Sequence, residues 1–264
     1  MYTAYLDLDR ELEVIKRVFD VFRLEIPSDY FCFDSETTGF NFAFNERKGL
    51  ESECADDLIT ELGHCDVTDC SADIYESTVL DWTKLPEYID VEWLKHKLKT
   101  ITDIMTAKGS VYHVPYSVMK ASGISPVDAL QKYVTLLSNA LNAGKFIVGQ
   151  NILNFDVGVF ADTTQEWLGK RFEIPGDRVI DVGVFEKARQ LAEMPRKGET
   201  LVDYQRRIRS IKAAGVKWSS THCCEVYGLN EKYGLDAVDM HSAGFDSMLC
   251  HLLLEEMRLL GDEI

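Results

Sequence analysis

Tyr30-Phe31-Cys32-Phe33-Asp34-Ser35-Glu36-Thr37-Thr38-Gly39-Phe40-Asn41-Phe42 is the stretch from which the chain is best read. Tyr30 to Phe33 are aromatic or apolar, which predicts a short strand buried on both faces. Asp34 and Glu36 follow at i and i+2, a spacing that puts both carboxylates on one face of an extended chain. At ~4 Å and an effective dielectric of about 20, two such charges repel by on the order of 4 kcal/mol. Something positive is therefore expected between them. A divalent metal is the economical candidate, since Mg²⁺ takes a few carboxylates together with water and phosphate oxygens. Thr37-Thr38-Gly39 then breaks the strand, and Gly39 permits a close backbone approach to a ligand.

The 264 residues suffice for one substantial domain with insertions, and a chain of this size needs no disulfide staples. No apolar run approaches the ~18 residues of a membrane span, and Met1–Arg10 is polar, unlike a secretory signal. Seven cysteines, an odd number with no C-x-x-C pair, fit free thiols in a reducing cytoplasm. The net charge of −16 argues against a large nonspecific nucleic-acid surface. A nucleic-acid enzyme of this composition needs a local basic patch.

Around the opening stretch the chain alternates helix and strand signals. Leu12, Ile15, Val18 and Phe22 predict an amphipathic packing helix over Leu6–Leu24, closed by Pro27. Asn45–Asp57 reads as a loop, and Leu58–Cys65 and Asp73–Leu80 as two strands of a meander. Cys54, His64, Cys65 and Cys70 match no zinc spacing and are taken as ordinary residues. Asp81–Gly123 reads as an insertion, with a helix over Val91–Met105 and a loop or short helix over Pro115–Gly123. Ser125–Gly144 predicts a helix with Pro126 at its first position and a buried stripe of Leu130, Val134, Leu137 and Leu141. Lys145–Gly149 is a buried strand leading into Gln150-Asn151 and Asp156, the strand–turn–helix arrangement where α/β folds bind ligands.

Read singly, Asn151 is a turn former and Asp156 an acid favoured at a helix start. Arg178–Phe185 reads as a strand carrying Asp181, an acid suited to a cap or turn at the strand end. Pro195–Lys217 reverses the local charge with seven Arg and Lys residues. It is read equally as phosphate-backbone contacts or as a solvated helix face. Trp218–Tyr227 reads as a helix. His241-Ser242-Ala243-Gly244-Phe245-Asp246 precedes a strongly apolar helix over Ser247–Leu260.

Three segments taken together resemble the DEDDh (DnaQ-like) family of 3′–5′ exonucleases. They are Phe33-Asp34-Ser35-Glu36-Thr37-Thr38-Gly39, Gly149-Gln150-Asn151-Ile152-Leu153-Asn154-Phe155-Asp156 and His241-Ser242-Ala243-Gly244-Phe245-Asp246. Val179-Ile180-Asp181 is similar to the segment the family carries between its second and third motifs. The resemblance implies an α/β, ribonuclease H-like mixed β-sheet flanked by helices. On that basis residues 1–27 are an N-terminal helical extension and 28–264 the exonuclease domain, with insertions around 81–123 and 195–217. Phe40 departs from the family, many of whose members carry Leu there.

The resemblance implies metal-dependent hydrolysis of DNA phosphodiester bonds from the 3′ end, releasing nucleoside 5′-monophosphates. Asp34, Glu36, Asp156 and Asp246 would bind two Mg²⁺ or Mn²⁺ ions, with His241 as general base. Nearby carboxylates are expected to raise the His241 pKa somewhat. Thr37, Thr38, Gly39, Phe40 and Asn151 would contact the substrate, Phe40 by stacking. The implied partner is single-stranded or 3′-ended nucleic acid, with no membrane, and a homodimer or a replication or repair partner is compatible. Alternative readings are an exoribonuclease of the same family and a non-catalytic module that binds nucleic acid or a replication partner.

Overall fold

Side chains alternate across the strand Tyr30–Thr37 (β1), and that alternation divides the core in two. Tyr30 and Cys32 enter one apolar cluster, Phe31 and Phe33 another. The computed structural model describes residues 8–22, 24–39, 57–235 and 240–262. Beside β1 run β2 (Ile59–Thr68), β3 (Ser71–Val79), β4 (Phe146–Gly149) and β5 (Val179–Asp181). The five form one mixed sheet in the order β3-β2-β1-β4-β5. β1, β4 and β5 are parallel, while β2 is antiparallel to both β1 and β3. The carboxyl ends of three parallel strands thus share one edge, where open α/β sheets place their ligands.

Helices cover both faces. On the Tyr30/Cys32 side lie α1 (Leu8–Val21), α6 (Val182–Leu191), α7 (Leu201–Ser210), α8 (Ser220–Val226), α9 (Leu229–Tyr233) and α10 (Ala243–Asp262). On the Phe31/Phe33 side lie α2 (Val91–Ala107), α3 (Tyr116–Ser122), α4 (Pro126–Asn142) and α5 (Asp156–Leu168). The predicted N-terminal helix is present as a packing element: Ile15, Val18 and Phe19 are buried, and α1 rests on α10 and α6. In α4, Pro126 stands at the first position, and Leu130 and Leu137 are buried with Tyr133 between them. α10 crosses β1, β2 and β3 with almost its whole described circumference buried, as expected of its apolar sequence.

One element differs from expectation. Arg178–Phe185 is not a strand throughout: β5 ends at Asp181 and Val182–Leu191 is helical. The Asp181 carboxylate accepts a hydrogen bond from the Val184 amide and caps α6, which turns a valine-rich run into a helix despite its β-propensity. The expected loop over residues 45–56 and Cys54 lie outside the described residues. The six described cysteines are free thiols. Among the described residues no helix is long and apolar enough to cross a membrane.

Candidate active site

Asp34 and Glu36 share the phase of Tyr30 and Cys32 along β1, so both project toward the side of the sheet occupied by α10. The pairing register sets Asp34 opposite Gly63 and Glu36 opposite Glu61 on β2. Gly63 is required there. A Cβ at that position would lie 1.9 Å from the Ala243 carbonyl carbon, because the start of α10 is pressed onto the β2 backbone. Gly244 also lies close to Ser77 on β3: a Cβ on Gly244 would stand 2.5 Å from the Ser77 hydroxyl, which accepts from the Gly244 amide at 3.0 Å. Two glycines therefore seat the third motif over the carboxylates of the first.

The second motif arrives from β4. Gly149 has no room for a side chain beside Ile152 and the Phe33 carbonyl. Asn151 adopts φ +63°, a left-handed conformation that Asn tolerates, and the following turn ends at Asp156, the first residue of α5. The fully buried Asp156 carboxylate accepts from the Ser35 amide at 3.0 Å and the Ser35 hydroxyl at 2.6 Å. Ser35, pointing opposite to its two acidic neighbours, ties the second motif to the first. His241, at φ +70°, donates its backbone N–H to the Asp246 carboxylate at 3.2 Å, which closes the turn before α10.

Carboxylates therefore accumulate without counter-charge. Burial pushes the Asp34 carboxyl well above its ordinary range, with further contributions from Asp156 and Asp246. Glu36 is likewise raised by burial and then by Asp246 and Glu61. Burial raises Asp156 to about 7 against the opposing hydrogen bonds from Ser35, and raises Asp246 also to about 7. No Lys or Arg among the described residues forms an ion pair with any of these acids. The Asp246 Oδ1 atom is buried without a hydrogen-bond partner. Buried carboxylates this close are tolerated only when they are protonated or share a cation.

Ligand atoms of Glu36, His241 and Asp246 all lie within 4.8 Å of one another, the one such group among the described residues. Asp34 and Asp156 stand outside that trio, although Asp156 raises both Glu36 and Asp246, and those two acids raise Asp34. The donor set of carboxylates and an imidazole, together with the unpaired Asp246 oxygen, fits a divalent cation.

Two expectations change, the direction of the His241 shift and the open space beside Gly39. The His241 imidazole pKa is lowered, not raised, by burial first and then by the neighbouring His113 and Lys108. His113 comes from the α2–α3 connection and bonds the Met240 carbonyl at 3.0 Å, so the 81–123 region reaches the third motif. Thr37 and Thr38 are buried, with side chains committed to the turn. The Thr37 hydroxyl donates to the Gly39 carbonyl, and the Thr38 hydroxyl bonds Asp57 and the Leu58 amide. The space beside Gly39 is filled by the Asp57 carboxylate and not left for a ligand. Phe40 lies outside the described residues.

Two residues went unrecognised in the sequence. Glu61 is buried opposite Glu36, and its carboxylate accepts from the Ala243 amide at 3.0 Å and the Ser242 hydroxyl at 3.3 Å. It anchors the amino end of α10, where negative charge is favoured. Its place in the phase of Cys65 and Val67, an apolar face of the strand, was the available signal. Arg209, from the basic segment, donates to the Asn151 side-chain oxygen. Asp181 accepts from the Asn151 amide at 3.0 Å, and burial raises its pKa to about 6. The chain matches no protein-family model and no curated protein.

Proposed function

We propose that the chain is a divalent-metal-dependent 3′–5′ exonuclease of the DEDDh type, built on a ribonuclease H-like sheet and acting on DNA. The observation that carries this reading is the convergence of Asp34 and Glu36 with Asp156, His241 and Asp246. These residues come from three segments far apart in sequence, and no cation among the described residues pairs with the carboxylates. The mixed sheet flanked by helices is the coarse architecture that the reading requires.

Asp34, Glu36, Asp156 and Asp246 are the residues that would hold the metal, with the His241 imidazole beside Glu36 and Asp246 kept for proton transfer. Divalent cations bound there would neutralise the carboxylates, acidify water and stabilise charge on the phosphate. His241, its pKa lowered, is neutral at physiological pH and can accept a proton from an attacking water. Attack forms a bond from the water oxygen to phosphorus and breaks the bond to the 3′ oxygen. The products are a nucleoside 5′-monophosphate and a strand one residue shorter. Ser35 and Glu61 act on position: one holds Asp156, the other the turn that carries His241.

The test is hydrolysis of 5′-labelled single-stranded DNA, duplex DNA and RNA with Mg²⁺, Mn²⁺ or EDTA, with Asp34→Ala as control. A ladder shortening from the 3′ end, dependent on metal and absent in the variant, is expected. Preference for RNA would make the enzyme an exoribonuclease. Cleavage of a circular strand, or an Asp34→Ala protein as active as wild type, would overturn the assignment.

A further inference from the structure

The basic segment divides into cations that are internally paired and cations that are not. Arg207 is closed off by Glu193, Glu199 and the Met194 carbonyl. Arg209, two residues on, turns toward the second motif instead, where its charge also acts on the buried Asp181 carboxylate. Arg209 lines a pocket of about 510 Å³ with Gln150, Asn151, Lys217, Trp218 and Ser220. The turn after β4 carries both Asn151 of this pocket and Asp156 of the carboxylate site, so the two share one loop. In a chain of net charge −16, every ionisable side chain lining the pocket is a cation.

The pocket is held in shape. The Gln150 amide donates to the Trp218 carbonyl at 2.6 Å. The Arg209 guanidinium lies 5.3 Å from the Trp218 ring centre while one of its nitrogens bonds Asn151. Its remaining N–H groups make no hydrogen bond to the described residues. Buried Lys187 ties down the adjoining backbone through the Arg209 and Ile211 carbonyls, at 2.7 and 2.6 Å. Lys217 is exposed, and its loop is pinned through its backbone by Gln190. A planar guanidinium fixed on an indole, with an ammonium and a hydroxyl alongside, presents donors suited to a phosphodiester.

We propose that this pocket binds an internucleotide phosphate of the strand whose 3′ end enters the carboxylate site. The proposal rests on the exonuclease reading, and its test separates the two. Binding of fluorescein-labelled single-stranded DNA and RNA 12-mers is measured by polarisation in EDTA, where nothing is cleaved, across a salt series. Arg209→Gln is expected to weaken binding about tenfold, as for loss of a charge-assisted hydrogen bond. It should also flatten the salt dependence by about 0.7 in slope. Arg209→Lys should restore the slope and only part of the affinity. Lys217→Gln, whose side chain holds no part of the fold, should flatten the slope likewise, and keeps the test available if Arg209→Gln does not fold. Unchanged affinity and slope in both glutamine variants of a wild type that cleaves with metal would overturn the pocket alone. Binding that depends on Arg209 and Lys217 in a wild type that cleaves nothing would overturn the exonuclease reading alone. A wild type that binds neither oligomer would overturn both.

Discussion

Two clusters of buried charge are resolved in opposite ways. Glu186 on α6 is fully buried, yet its carboxylate receives the Arg189 guanidinium through two hydrogen bonds of 2.8 and 2.6 Å. Gln190 at 2.7 Å and the Tyr227 hydroxyl at 2.8 Å complete its shell. At the carboxyl edge of the sheet, Asp156 and Asp246 receive hydrogen bonds, and none of Asp34, Glu36, Asp156 and Asp246 has a cation partner among the described residues. The first cluster is complete within the chain and needs nothing further. The second is repulsive as it stands, and the carboxyl pKa values are raised by burial first and by that repulsion second. A buried charge that has its partners belongs to the architecture, and one that lacks them calls for a ligand.

The comparison breaks most directly at Asp34. Asp34→Asn is expected to bring metal-dependent hydrolysis to background while raising the melting temperature of the metal-free protein, since one repelling charge is gone. Divalent cation should raise the melting temperature of wild type and much less that of the variant. A metal-free variant melting below wild type would show that the carboxylate is structural. His241→Asn, chosen because Asn accepts a left-handed backbone, should slow hydrolysis by about 10²–10⁴-fold, as for loss of a general base. The cation-induced melting shift should survive, and an unaltered rate would remove His241 from the chemistry.

The complementary break is Arg189→Leu, which strands Glu186 without a counter-charge. Urea unfolding should show a loss of about 3–5 kcal/mol, with the cation-induced melting shift retained. A loss under about 1 kcal/mol would mean that the pair is not what holds α6. The smallest effect is expected at Asp181, which belongs to neither cluster. Its folded pKa of about 6 lies above the unfolded value of ~3.9, so its contribution to stability is full below about pH 4 and is lost as pH rises through 6. The loss is on the order of 3 kcal/mol. Asp181→Asn should therefore gain on wild type as pH rises from 4 to 6.5, and a pH-independent difference would contradict the shift.

Much of the site was legible because its signals are local. The i, i+2 spacing of Asp34 and Glu36, the turn before Asp156 and the turn before Asp246 each depend on a few adjacent residues. Residues 182–185 were misread because Val182, Val184 and Phe185 satisfy a strand pattern, whereas the Asp181 carboxylate caps a helix that begins there. The space beside Gly39 looked open to a ligand until the Asp57 carboxylate folded against it. The basic segment could not be resolved into paired Arg207 and site-facing Arg209, because adjacent cations differ only in what the fold brings beside them.

The chain by itself determined which residue types could do chemistry and on which face of a strand or end of a helix each would stand. That information lies in the two- and 3.6-residue periods and in turn chemistry. Tertiary structure decided which of them meet: Glu61 opposite Glu36, Gly63 under Ala243, His113 beside His241, and Arg209 on Asn151. It also decided the charge state of the site, which moved His241 down and the carboxylates up. Burial and the summed field of neighbours distant in sequence set those shifts, and neither exists before the chain is packed.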